Sequence, residues 1–277
     1  MCLLEEAKLI LRKYRIFPKK RFGQHLLIEP SVFHTLARYA SLSHDDIVLD
    51  IGAGLGFLTC FLAEKCRKVL AVEIDPRLVR ILRENLKNFS NVEVFEGDVL
   101  KVTLPHFNKA VSAPPYNISS PLIEWFSGKN FDCAVLVLQD EFSKRLVATA
   151  GDKNYGWLTV LAYYRFEIDL LDYVPKRLFY PQPKVDSIIV RLRPRASPSF
   201  PVKDYFLFSR LVRALFSQRN RKVRNAIQSF IKLYSPPKLR VMGFANSLPF
   251  SDRRVRELAP EDFGELANAL LRQESVL

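Results

Sequence analysis

Cysteine is scarce in this chain: the four copies among 277 residues, Cys2, Cys60, Cys66 and Cys133, form no CxxC pair. Disulfide scaffolds and thiolate zinc sites need denser, closely spaced cysteines, so free thiols in a reducing, cytoplasmic compartment are expected and a metal site is not. Long apolar runs are also missing: no stretch reaches the roughly 18 apolar residues of a membrane span. The opening MCLLEEAKLILRKYR alternates charge with apolar residues at helical spacing and lacks the uncharged core of a secretory signal. No low-complexity tract or internal repeat is evident.

Acids are nearly absent from one region. Residues 191–260 hold sixteen Lys and Arg against three acids, Asp204, Asp252 and Glu257. That excess equals the whole formal charge of +13, so the rest of the chain is neutral. A basic module beside a neutral one points to a polyanionic partner. The aromatic residues interleaved with the charge favour nucleic acid over a merely solubilising surface.

Three segments are expected. Residues 1–30 read as a short amphipathic helix followed by a basic stretch, PKKRFGQHLL, with Lys19, Lys20 and Arg21. Residues 31–195 alternate strand and helix. Strands are expected at 47–51, 68–72, 92–95, 109–112 and 133–138, with helices at 57–66, 77–86, 121–125 and 141–147. That alternation defines an α/β, Rossmann-like fold with a mostly parallel, doubly wound sheet. Two later apolar runs, 160–168 and 185–192, are expected to close its edge as an antiparallel hairpin. A linker, RPRASPSFPVKD, leads into 196–277, expected as a small, basic, all-α domain with helices at 205–216, 222–233, 254–258 and 260–271.

Four motifs carry chemistry. In VLDIGAGLGFLT, Gly52, Gly54 and Gly56 follow a strand and precede a helix, where glycine permits a tight turn and close approach of a ligand. The dinucleotide fingerprint needs its last glycine at the sixth place. Here it falls at the fifth, which suits the nucleoside of S-adenosylmethionine better than a pyrophosphate. Glu73 ends the next strand, 21 residues after Gly52, where an acid in such folds binds ribose hydroxyls. Asp75, before Pro76, suits a helix N-cap instead. Asp98 follows the third strand, placed to accept a hydrogen bond from the cofactor's adenine amine.

The fourth motif is SAPPYNIS, residues 112–119. It resembles the (N/D/S)-P-P-(Y/F/W) motif of methyltransferases that act on the amino groups of adenine or cytosine. An exocyclic amine is a poor nucleophile because its lone pair is delocalised into the ring. Acceptors that favour a tetrahedral nitrogen, and an aromatic platform for the extruded base, overcome this. The resemblance implies Tyr116 as the platform and the Pro114 carbonyl, before Pro115, as one acceptor. The second would come from position 113, which is Ala113 and has no acceptor. Losing one such interaction typically costs on the order of 3 kcal/mol, about a hundredfold in rate. Three readings are compatible with it: a chain disabled to trap a complex, a slow or noncatalytic natural member, or substitution by Ser112 or Asn117.

Further segments, RFGQHLL, QDEFSKRLVA, YGWLTVL, FYPQPKVDSIIVRL, LFSQRNRKVRNAI and RVRELAPEDF, extend the similarity over nearly the whole chain. Together they resemble the ribosomal RNA adenine dimethyltransferase (KsgA-like) family. The resemblance implies an S-adenosylmethionine-dependent enzyme that dimethylates two adjacent adenosines near the 3′ end of small-subunit ribosomal RNA, within the immature subunit, and acts as a monomer. It implies cofactor contacts from Gln24, His25, Leu27, Gly52, Gly54, Glu73, Ile74, Asp98, Val99 and the backbone of Ala113. Phe179 looks like a second aromatic wall for the target base. Lys19, Lys20, Arg21, Arg219, Arg221, Lys222 and Arg224 would grip RNA. Rival readings are a large-subunit RNA adenine methyltransferase, a DNA adenine methyltransferase, and an RNA-binding assembly factor with weak or no catalysis.

Overall fold

Short runs rich in Val, Leu and Ile, bounded by turns, are too short for helices and suit strands buried on both faces. The computed structural model, which describes residues 2–17, 23–234 and 241–274, makes strands of them, buried except at the half-exposed edge strand Val92–Glu96. The chain begins with α1 (Leu3–Lys13), β1 (Leu26–Leu27) and α2 (Pro30–Tyr39). It continues through β2 (Ile47–Ile51), α3 (Phe57–Ala63), β3 (Lys68–Glu73), α4 (Pro76–Asn85), β4 (Val92–Glu96), β5 (Lys109–Ser112), α5 (Ser119–Phe126), β6 (Cys133–Gln139) and α6 (Asp140–Leu146). Then come α7 (Trp157–Arg165), β7 (Phe166–Val174), β8 (Phe179–Tyr180) and β9 (Ser187–Pro194).

Seven strands form one sheet in the order β4-β3-β2-β5-β6-β9-β7. The pairings β2–β3, β2–β5, β3–β4 and β5–β6 are parallel, and β9 runs antiparallel to β6. The first strand, β2, thus lies mid-sheet. Later strands go to one side and then the other, which leaves a switch point between β2 and β5, where doubly wound folds bind ligands. Val48, Leu49, Val69, Leu70, Ala110, Val111, Val135 and Leu136 have no exposed surface. Fully burying each Val or Leu contributes about 1.5–3 kcal/mol, which fixes the strand ends that carry the site.

Contacts divide the chain into two units, Met1–Ser143 with Glu167–Pro194, and Lys144–Phe166 with Arg195–Leu277. The second unit therefore takes up residues well before the linker, including α7. Here the expected hairpin changes. Residues 160–165 belong to α7 and not to a strand, and the hairpin partner of β9 is β7. Leu158, Val160, Leu161 and Tyr164 are buried, and three of them share a core with Phe200, Phe208 and Leu211. The helix is started by Thr159, whose hydroxyl accepts from the Gly156 amide and donates to the Arg145 carbonyl. An apolar run alone does not separate helix from strand, and these partners lie far off in sequence.

The rest of the second unit comprises α8 (Tyr205–Phe216), α9 (Val223–Ala226), α10 (Gln228–Tyr234), α11 (Val241–Ser247) and α12 (Pro260–Glu274). The single helix expected at 222–233 is interrupted at Ile227, and the one at 254–258 is a short 3-10 turn, Val255–Glu257.

Candidate active site

β2 ends at Ile51, and the chain turns on Gly52, whose amide donates to the Val72 carbonyl at 2.8 Å. Gly52 has φ +74°, and a Cβ there would lie 2.7 Å from Pro115 Cδ. Gly54 has φ +60°, and a Cβ would lie 2.7 Å from Leu26 Cδ2. Both glycines therefore do more than admit a ligand: they let the SAPPY segment and β1 close onto the loop.

The strand-end acids are bound into this loop. Glu73 is buried and accepts from the Gly54 amide (2.9 Å) and the Asp75 amide (2.9 Å). Burial pushes its carboxyl pKa up, and these amides offset part of the shift. Asp75 caps α4 through the Arg77 amide, as its position before Pro76 suggested. The Arg77 guanidinium bridges both its oxygens, and Gln24 Nε2 donates at 3.2 Å. Arg77 holds the Asp75 carboxyl down at about 2. This network, absent from the sequence reading, ties Gln24 to the acid beside Glu73. Asp98 sits in a turn with one oxygen on the Leu100 amide.

Three clefts meet at Gly52. One is lined by Ile74, Val99 and Ile118, together with Asp98. The second lies along Gln24, His25, Gly54, Glu73 and Ala113. The third is lined by Asp50, Ala53, Leu27 and Ala113. They run in series along the carboxyl ends of β4, β3, β2 and β5. Gly52, Gly54, Glu73, Ile74, Asp98, Val99, Gln24, His25, Leu27 and Ala113 are all brought to this one edge.

Asp50 was not singled out, although a charged residue inside the apolar run VLDI is itself a signal. It is buried, accepts from the Thr59 hydroxyl at 2.7 Å, and has its carboxyl pushed up to about 7 by burial. The fold thus favours its neutral form. The stability this confers is complete below the ordinary value of 3.8 and is lost as pH rises through about 7. Asp50→Asn is expected to gain stability relative to the parent across that interval, by an amount on the order of 3 kcal/mol. Urea unfolding in the absence of cofactor at a series of pH values checks this, and a difference that does not change with pH would contradict it.

The SAPPYNIS segment is built from β5 outward. Ser112 is fully buried, and its hydroxyl both donates to the Ile51 carbonyl (2.6 Å) and accepts from the Ile51 amide (3.0 Å). It is committed to the sheet. Pro114 is buried, and Pro115 leads into a 3-10 turn, Tyr116–Ile118. The Tyr116 ring stacks on His25, with centroids 5.6 Å apart and planes at 28°, and meets Phe179 edge-on at 6.4 Å. Its hydroxyl is 2.7 Å from Ser187 Oγ, a fully buried group that the sequence reading did not single out although it opens β9. Burial pushes the Tyr116 phenol pKa up. Phe179 is only 3% exposed and belongs to the core of the first unit. β1 pairs antiparallel with β8, Leu26 opposite Tyr180 and Leu27 opposite Phe179, and His25 Nδ1 lies 2.6 Å from the Pro181 carbonyl oxygen. The QHLL segment and the FYPQPKVDS segment are thus one local structure.

Of the expected RNA contacts, Lys19, Lys20 and Arg21 lie outside the described residues. In the second unit Arg219 donates to the Lys153 and Asp152 carbonyls. Lys222 and Arg224 both pair with Asp252, while Arg221 is exposed.

A mostly parallel sheet with a glycine turn, strand-end acids and a Pro-Pro-Tyr segment at one edge defines a Rossmann-like methyltransferase. Residues 17–245 match the family model described as ribosomal RNA adenine dimethylase, and the chain belongs to that family. It is 41% identical to a protein of Methanosarcina acetivorans named "Probable ribosomal RNA small subunit methyltransferase A", over 96% of this chain and 98% of that one. A protein of the same name from Thermococcus onnurineus is 40% identical, over 97% of each chain. Among solved structures, the chain is similar to a dimethyladenosine transferase from Plasmodium falciparum (TM-score 0.76, 28% identity, 90% of this chain and 98% of that one). It is also similar to the 23S rRNA methyltransferase ErmE (TM-score 0.64, 32% identity, 88% and 99%).

Proposed function

We propose that the protein dimethylates N6 of two adjacent adenosines near the 3′ end of small-subunit ribosomal RNA, using S-adenosylmethionine, during assembly of that subunit in the cytoplasm. The observation that carries this reading is the placement of Glu73, Asp98 and the Pro114–Tyr116 segment at consecutive parallel strand ends around Gly52. The residues fit the cofactor. Apolar Ile74 and Val99 flank the cleft that Asp98 edges, and Asp98 and Glu73 supply acceptors for an adenine amine and ribose hydroxyls. Gln24, His25, Leu27, Gly52, Gly54 and the Ala113 backbone would hold the remainder. When bound, S-adenosylmethionine supplies a methyl group made electrophilic by the adjoining positive sulfur.

The protein's own part is positioning and polarisation. The Pro114 carbonyl accepts a hydrogen bond from the target amine, and the face of Tyr116 receives the extruded base. Ser187 and Phe179 hold that ring from its hydroxyl and its edge. No general base is required, because the alkylated amine is acidic and releases its proton to water. The protein acts as a monomer, and its basic second unit grips RNA phosphates.

The test is methyl transfer from labelled cofactor to undermethylated small subunits, with large subunits in parallel. Two methyls on each of two adenines of the small-subunit RNA support the reading. Transfer to large-subunit RNA alone would replace it with the large-subunit activity. Ala113 favours one second reading, an assembly factor with weak catalysis, in which subunits and cofactor bind while transfer stays negligible.

Because Lys222 and Arg224 already share Asp252, the exposed Arg221 is the sharper probe of phosphate contact. Arg221→Glu is expected to lower the salt slope of subunit binding by about one. Identical slopes before and after would remove Arg221 from the interface.

A further inference from the structure

The second unit holds a cavity that methyl transfer does not use. It is an open cavity of about 270 Å³, and its lining includes Arg145, Lys153, Asn154, Trp157, Phe216 and Arg219. Arg145 comes from α6, Trp157 opens α7 and Phe216 closes α8. Arg219 follows α8, and its donation to the carbonyls of Asp152 (3.0 Å) and Lys153 (2.9 Å) fixes the loop before α7. Beneath, the buried Tyr155 donates to the Leu258 carbonyl and meets Phe216 edge-on, which makes the floor rigid. The Arg213 guanidinium lies 3.8 Å from the centroid of the Trp157 ring and holds the indole in place.

Three cations and no carboxylate line this space. Among the described residues no ion pair engages Arg145 or Lys153. Cations alone would suit any anion. An indole beside them, in a cavity far larger than a phosphate, calls for a ligand that is anionic at one end and flat at the other. We propose that this cavity is a subsite for one unpaired RNA nucleotide, its phosphate held by Arg145, Lys153 and Arg219 and its base stacked on the face of Trp157 opposite Arg213. The inference rests on the reading that RNA is the substrate. It deepens that reading by giving the second unit a recognition element separate from Arg221, Lys222 and Arg224. A nucleotide unstacked from its neighbours would be gripped here, while paired RNA would be excluded from the indole.

The test uses the full chain and a short single-stranded RNA that carries 2-aminopurine, whose fluorescence falls when it stacks on an aromatic ring. The parent is expected to bind and quench the probe. Trp157→Ala is expected to weaken binding about tenfold and to abolish the quenching, while Trp157→Phe retains most of both. Lys153→Glu, at an exposed position, is expected to lower the salt slope by about one. The proposal is overturned if the parent does not bind or does not quench the probe, or if Trp157→Ala behaves as the parent. It is likewise overturned if only the charge variant has an effect, since a bare phosphate site would behave that way. Thermal unfolding of each variant and binding of S-adenosylhomocysteine show that the fold is intact. Methyl transfer by the same parent preparation separates the two claims: transfer with unchanged variants sinks the subsite alone, whereas no transfer to any ribosomal RNA sinks the functional reading itself.

Discussion

Ala113→Asn is expected to raise the rate of methyl transfer by about a hundredfold while leaving cofactor affinity nearly unchanged. The target amine needs acceptors that draw its nitrogen towards a tetrahedral geometry. The Pro114 carbonyl is the one proposed above, and the methyl group of Ala113 cannot be the other. The structure disfavours Ser112, the first substitute considered, because its hydroxyl has no exposed surface, donates to the Ile51 carbonyl and accepts from the Ile51 amide. The second is poorly placed. Asn117 is exposed, borders the cleft beside Ile74 and Asp98, and has its side-chain oxygen 2.9 Å from the Cβ position of Gly23. Ala113 instead lines the two clefts that contain His25. An asparagine at 113 adds a carbonyl where none exists. Single-turnover kinetics with saturating cofactor isolate this step. An unchanged rate would mean that a group other than Ser112 supplies the second acceptor.

Glu73→Ala is expected to weaken binding of S-adenosylhomocysteine by at least about a hundredfold, because each hydrogen bond to a charged group contributes roughly 1.5–3 kcal/mol. The carboxylate does two things at once. It braces the Gly54 and Asp75 amides, and in the proposed function it offers its remaining lone pairs to the ribose. Alanine leaves both amides unpaired in a buried site, so stability should also fall, by roughly 2–4 kcal/mol. Glu73→Gln keeps one carbonyl acceptor and turns the other oxygen into a donor facing an N–H, so an intermediate loss is expected. Calorimetric titration and urea unfolding read the two effects separately. Wild-type affinity in the alanine variant would show that the ribose is held elsewhere and that Glu73 only builds the loop.

The parallel strands were legible because most are local runs rich in Val and Leu closed by a glycine or an acid, and β5 by the two prolines that follow it, and these local signals also place the strand ends along one edge. Gly52, Glu73, Asp98 and Tyr116 follow from that placement. Pairings between distant segments were not legible. β1 and β8 are two residues each and more than 150 residues apart, yet they join QHLL to the FYPQPKVDS segment. The hydroxyl of Tyr116 is anchored by Ser187, 71 residues away, and nothing near either residue announces it. Residues 160–165 show the same limit at the level of secondary structure. Their apolar run fits a strand as well as a helix, and the choice is made by Phe200, Phe208 and Leu211. Asp50 was readable in principle. Its acid inside VLDI is costly to bury, which marks it out from the apolar residues around it.

The central claim is that this edge of the sheet delivers methyl groups to adenine in small-subunit RNA. Mass spectrometry of that RNA, after undermethylated subunits are incubated with S-adenosylmethionine and either the parent chain or Ala113→Asn, tests it most directly. The account predicts N6,N6-dimethyladenosine at two neighbouring positions near the 3′ end, accumulating much faster with Ala113→Asn. Unmodified small-subunit RNA from both proteins, each with cofactor bound, would contradict it.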